Sequence, residues 1–142
     1  MARTISTGAG LDTSVLVRVL TGQPDDLADA AKEFLFEMEE TGAPVFVSNL
    51  VVAEAYFACH HHYRIPKAAV LLALREVLSQ PTFQVHPELL DLLALPGLDT
   101  AKPGFLDRLI HSEYTRAGLP LVTFEKASAR LSETVVLPIR PT

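Results

Sequence analysis

Apolar residues recur at two spacings along this chain: short continuous runs that suit buried strands, and the i, i+3, i+4 stripes of amphipathic helices. A short apolar stretch ending at Leu11 leads into "DTSVLVRVLTG", where Asp12 or Thr13 caps a helix that Gly22 closes. "DDLADAAKEFLFEMEETG" then sets Leu27, Ala30, Ala31, Phe34, Leu35 and Met38 on one helical face and ends at Gly42. "PVFVS" reads as a buried strand, and Ser48 or Asn49 caps the next helix. Another helix begins near Pro66 and carries "KAAVLLALREVLSQ", with Pro81 as its stop. "TFQVH" is a strand, and "PELLDLLAL" is a short helix ended by Pro96 and Gly97. "FLDRLIHSEYTRAG" is helical with Phe105, Leu106, Leu109 and Ile110 inward and Gly118 past its end, and "LPLVT" and "VVLPI" complete five strands.

Strands alternating with helices predict a single α/β domain over residues 1–142, with a doubly wound parallel sheet of about five strands and helices on both faces. Such sheets bind ligands at the carboxyl ends of their strands. Asp12 directly follows strand one, Glu54 lies in the helix after strand two, and Glu125 comes just after strand four. Asp107 sits near the start of the helix leading into strand four, which the loop "PGLDTAKPG" must return to the same edge.

Composition narrows the class without identifying it. A chain of 142 residues, 49% hydrophobic and 20% charged, has the makeup of an ordinary globular domain and can bury roughly 70% of its unfolded surface. Cys59 is the lone cysteine, which excludes a disulfide framework and suits a reducing compartment. "MARTISTGAG" has no apolar leader core, and no window nears the roughly 18 apolar residues of a membrane span, so the expectation is a cytoplasmic protein with no membrane partner. A net charge of −5 argues against broad attraction to a nucleic-acid backbone, but not against an acidic pocket that recruits cations to meet phosphates.

Glu54 is the one charged residue between Asn49 and Cys59. A carboxylate on an apolar face loses hydration worth several kcal/mol unless something meets it. Either it turns to solvent, on a helix whose core stripe is Leu50, Ala53 and Phe57, or it is retained for chemistry. Two carboxylates about 5 Å apart repel by roughly 3 kcal/mol at an effective dielectric near 20, so gathered acids protonate, separate or take up a cation. Oxygen ligands alone favour Mg²⁺ or Mn²⁺ over Zn²⁺. Each acid also has a plain structural role open to it: Asp12 as a helix cap, Asp107 as a first-turn charge, Glu125 in a solvated turn. His60, His61 and His62 follow one another on a helix about 100° apart and cannot chelate one ion. Asp91, Asp99 and Glu113 read as surface acids.

"LDTSVLVRVLTG", "SNLVVAEAYFAC", "GFLDRLIHSEYTRAGLPLVT" and "VTFEKASARL" together resemble the ordered acidic motifs of PIN-domain proteins, most closely the VapC-type toxins of bacterial and archaeal toxin–antitoxin pairs. The resemblance covers nearly the whole chain. It implies a Mg²⁺- or Mn²⁺-dependent endoribonuclease, usually a homodimer, silenced by a cognate antitoxin. On that resemblance Asp12, Glu54 and Asp107 form the acidic triad that holds metal, and the hydroxyls of Thr13 or Ser14 and of Thr123 line the site. Glu125 stands where the family more often has aspartate or asparagine, and the opening "ISTGAGLD" is richer in glycine than usual. Arg18, Arg108 and Arg116 are candidates to hold RNA phosphates. The apolar helix from Lys67 to Leu78 is a candidate dimer surface. The alternative is a PIN-like module that binds RNA or protein without cutting. A receiver-type phosphoacceptor is disfavoured, because "VFVSN" offers no strand-end aspartate and "VVLPIRPT" no lysine.

Overall fold

A computed structural model of the chain describes residues 7–141; Ile5 and Ser6 of the expected opening strand, and the start of the segment read as lacking a leader, lie outside the described residues. The chain divides after Ala94 into two compact units. The first runs β1 (Ala9–Gly10), α1 (Thr13–Thr21), α2 (Asp25–Thr41), β2 (Val45–Phe46), α3 (Asn49–His61), α4 (Lys67–Leu78), β3 (Phe83–Gln84) and α5 (Pro87–Leu93). The second contains α6 (Phe105–Arg116), β4 (Leu121–Thr123), a 3₁₀ turn Lys126–Arg130 and β5 (Thr134–Val136).

All strand pairs are parallel. The first unit has the order β1-β2-β3 and the second pairs β4 with β5. The expected α/β class with parallel strands is therefore present, and among the described residues five strands hydrogen-bond as two ladders. Parallel neighbours need crossovers, which α1 with α2 and α3 with α4 provide. α1 packs on α2, α3 and α4, and α4 also meets α3 and α5. Among the described residues no helix is long and apolar enough to cross a membrane.

The run "PVFVS" suggested a strand buried on both sides, but the observed strand alternates. Val45 and Val47 are buried while Phe46 is 52% exposed, because successive side chains leave a strand on opposite faces. Val45 is in register with Phe83, and both are buried. The glycine-rich start also has a structural cause. Gly8 has φ +112°, and a Cβ there would lie 3.0 Å from the Pro44 carbonyl oxygen, so only glycine permits this approach to the next strand.

Helix ends follow the local chemistry. Asp12 and Ser48 are the N-caps of α1 and α3, resolving both alternatives, and Gly22 and Gly42 close α1 and α2 in the left-handed region. Which face is buried departs from the expected stripes in three helices. In α2 the buried side chains are Ala28, Ala31 and Met38, and Leu27 is 47% exposed. In α6 Phe105 and Leu109 are buried but Ile110 is exposed. In α3 the core side is Asn49, Val52, Ala55, Tyr56 and Cys59, whereas Leu50 is 70% exposed and Phe57 is also exposed. That helix is apolar nearly all round, so its periodicity could not choose a face. Burial pushes the Cys59 thiol up from its ordinary pKa, which leaves it a small core side chain and not a nucleophile.

Candidate functional site

Asp12 begins the site. Its backbone is extended and its Oδ2 accepts the Ser14 hydroxyl at 2.7 Å and the Ser14 N–H at 3.3 Å. The structural role and the candidate chemical role coincide, because a capping carboxylate still presents its charge to solvent. The Ser14 hydroxyl, then the Ser14 N–H, hold its pKa below the ordinary carboxylate value. A depressed folded pKa stabilises the fold above the unfolded carboxylate's pKa, and that contribution is lost as pH falls through the folded value. Ser14→Ala therefore moves the Asp12 titration midpoint upward and leaves neutral-pH behaviour of that carboxyl unchanged. Carbon-detected NMR titration reads this directly, and an unmoved midpoint would show that the bond is absent in solution.

Glu54 stands on α3, which packs on α1, and it is exposed. With Thr13, Phe57 and His62 it lines a shallow depression of about 400 Å³. Glu54 thus avoids the desolvation cost that its apolar context suggested. Thr13 and Ser14, one step of about 100° apart, face different ground: Thr13 borders the Glu54 depression, and Ser14 bonds Asp12.

Asp12, Ser14 and Arg18 edge a groove of about 460 Å³ that runs between α1, β1 and α2. Its apolar wall includes Val15, Leu27, Ala31 and Phe34. The half-buried Arg18 donates from Nη1 to the Tyr63 hydroxyl at 2.7 Å, and its buried Nε has no partner among the described residues. His60, in the adjacent triplet, donates from Nδ1 to the Ile65 carbonyl at 2.9 Å.

In the second unit Asp107 is exposed in the first turn of α6, where a negative charge suits the helix dipole. Arg108 donates from Nε to the Pro103 carbonyl at 2.7 Å, which ties that candidate cation to the loop before the helix. Arg116 lies in the last turn of α6. Thr123 accepts the Glu125 N–H, and Glu125 in turn accepts the Ala127 N–H at 3.1 Å as the cap of the 3₁₀ turn.

Among the described residues no group of three or more His, Cys, Asp or Glu side chains is placed to hold a metal ion. What each unit brings together is smaller. Asp12, Ser14 and Arg18 share one groove, Thr13 and Glu54 share one depression, and Thr123 and Glu125 share one turn. Sequence reasoning missed Tyr63, whose bond to Arg18 spans 45 residues and leaves no local signal. It assigned Leu27 and Phe34 to a core stripe, and they instead form a groove wall.

Parallel α/β construction with an acid at the start of the first helix defines a class of proteins that meet their ligands at strand ends. Residues 10–134 match the PIN domain, a span that runs through both units, and the chain belongs to the PIN-domain family. PIN domains have a nuclease-type fold, commonly that of ribonucleases; their nucleases act on nucleic acid and typically use divalent metals. Comparison with curated proteins and with solved structures finds no match.

Proposed function

We propose that this protein is a Mg²⁺- or Mn²⁺-dependent endoribonuclease and the toxin of a type II toxin–antitoxin pair. The observation that carries the reading is Asp12: an exposed carboxylate held ionised by Ser14, on the edge of a groove that also presents an arginine, in a chain of the PIN-domain family. The donors suit a hard cation, because the candidates are carboxylate oxygens that remain in water. Asp12, Glu54 and Asp107 would hold the metal, with Thr13, Ser14 and Thr123 as the neighbouring hydroxyls. When bound, the ion would lower the pKa of a water and offset charge on the phosphate oxygens. Arg18 holds the RNA backbone. The partners in this reading are RNA, a cognate antitoxin and a second copy of the chain, and the compartment is the cytoplasm.

The test is hydrolysis of RNA by the purified protein with Mn²⁺ or Mg²⁺, then with excess EDTA. Cleavage is expected with either ion and should stop with chelation; persistent cleavage in EDTA would overturn the metal-dependent reading. Expression alone should arrest growth, and co-expression of the adjacent antitoxin gene should relieve the arrest. One observation favours the non-cleaving module as a second reading. At the last motif the chain carries Glu125 where the family more often has aspartate or asparagine, a side chain one methylene longer that caps its own turn through Oε1. Absence of cleavage with both ions would support that module.

A further inference from the structure

We infer that the groove along α1 and α2 is a nucleotide subsite: the Arg18 guanidinium takes an RNA phosphate neighbouring the one that is cut, and that nucleotide's base lies against Phe34 and Leu27. This rests on the ribonuclease reading and adds to it where the strand runs. Arg18 is half-buried beside an apolar wall, its Nε is buried without an acceptor, and its one hydrogen-bond partner among the described residues is a neutral hydroxyl. A guanidinium whose one hydrogen-bond partner among the described residues is a neutral hydroxyl keeps its charge and its Nη2 donors for an anion in the groove. The groove therefore calls for an occupant that is anionic at one edge and flat and apolar at the other.

A nucleotide has that shape. The guanidinium fork matches phosphate oxygens, and bases stack on aromatic side chains without regard to sequence. At about 460 Å³ the groove lies in the size range of small-ligand sites. Asp12 and Arg18 are six residues apart on one helix, about 9 Å along its axis, so a strand that meets Asp12 continues past Arg18. This continuity favours RNA over an acidic protein segment as the occupant. Tyr63 is a positioning residue, because its hydroxyl accepts from Nη1 and fixes the fork while leaving Nη2 to the phosphate.

The test measures Kd for a fluorescein-labelled single-stranded RNA by anisotropy across a salt series, with Ca²⁺ replacing Mg²⁺, alongside cleavage rates with Mg²⁺. Arg18→Gln should weaken binding about tenfold or more and reduce the slope of log K against log salt by about 0.7, the loss of one single-strand phosphate contact. Phe34→Ala should weaken binding by about fivefold or more without changing that slope. Leu27→Ser, at an exposed position, repeats the measurement should Phe34→Ala fail to fold. Tyr63→Phe should weaken binding in the parent protein but not in the Arg18→Gln background, which a merely structural role would not produce. Unchanged affinity and slope in the Arg18 and wall variants of a parent that cuts RNA, the pattern of a groove that seats a protein segment, would overturn the subsite and leave the ribonuclease reading intact. A parent that neither binds nor cuts RNA would overturn both.

Discussion

Asp12→Asn is expected to lose RNA hydrolysis by at least about 100-fold while its unfolding transition stays where it was. The substitution separates the two roles of this residue. Asparagine caps helices as well as aspartate does, and its side-chain oxygen can still accept the Ser14 hydroxyl and N–H that hold the start of α1. What it removes is the charge. If that charge holds a divalent ion, losing it costs the reaction about 2.7 kcal/mol or more, since each tenfold in rate is about 1.4 kcal/mol. Paired measurements check this: the cleavage rate at saturating Mn²⁺ and the urea midpoint by circular dichroism. A variant that cuts RNA at the parent rate would show that Asp12 is a cap alone. A variant whose midpoint falls with its rate would assign the loss to the fold. Asp107→Asn, at an exposed first-turn position, should behave in the same way.

Leu74→Ala is expected to have the largest effect on stability. Leu74 is fully buried in α4, in one stripe with Val70, Leu71 and Leu78, and α4 packs against α1, α3 and α5. Deleting its methyl groups loses their transfer energy and leaves a cavity, about 2 to 5 kcal/mol in total. Whole domains are stable by only about 5 to 15 kcal/mol, so this is a large fraction. The urea midpoint should fall with an unchanged slope. Leu72, two residues earlier, is 54% exposed, and Leu72→Ala should stay within about 0.5 kcal/mol of the parent. Equal losses in the two variants would contradict the described packing of α4. The same contrast bears on the dimer surface suggested for this helix: Val70, Leu71, Leu74 and Leu78 face the core of their own unit, whereas Ala68, Ala69 and Leu72 are exposed.

Signals that act over a few residues were legible in the chain itself. Gly22 and Gly42 close their helices where expected, Pro66 precedes α4, and Asp12 and Ser48 cap because their short side chains reach N–H groups two or three residues on. Strand and helix alternation carried the α/β class and the acids' places along it. Asp12 and Asp107 mark helix starts, where a carboxylate is favourable whether or not it also has chemistry to do. That double meaning is why the acids alone could not separate structure from function.

The sequence by itself determined the order of the helices and strands, narrowed the caps of α1 and α3 to two neighbouring residues each, and set the helix turns that carry Asp12, Glu54 and Asp107, because capping and periodicity are set by neighbours along the chain. Only the tertiary structure decided which side of α3 is core, that Leu27 and Phe34 form a groove wall, and that Tyr63 reaches Arg18. In a helix apolar on most sides many faces satisfy the same pattern, and the choice among them belongs to whichever neighbours pack against it. A hydrogen bond across 45 residues exists only once that packing has brought its ends together.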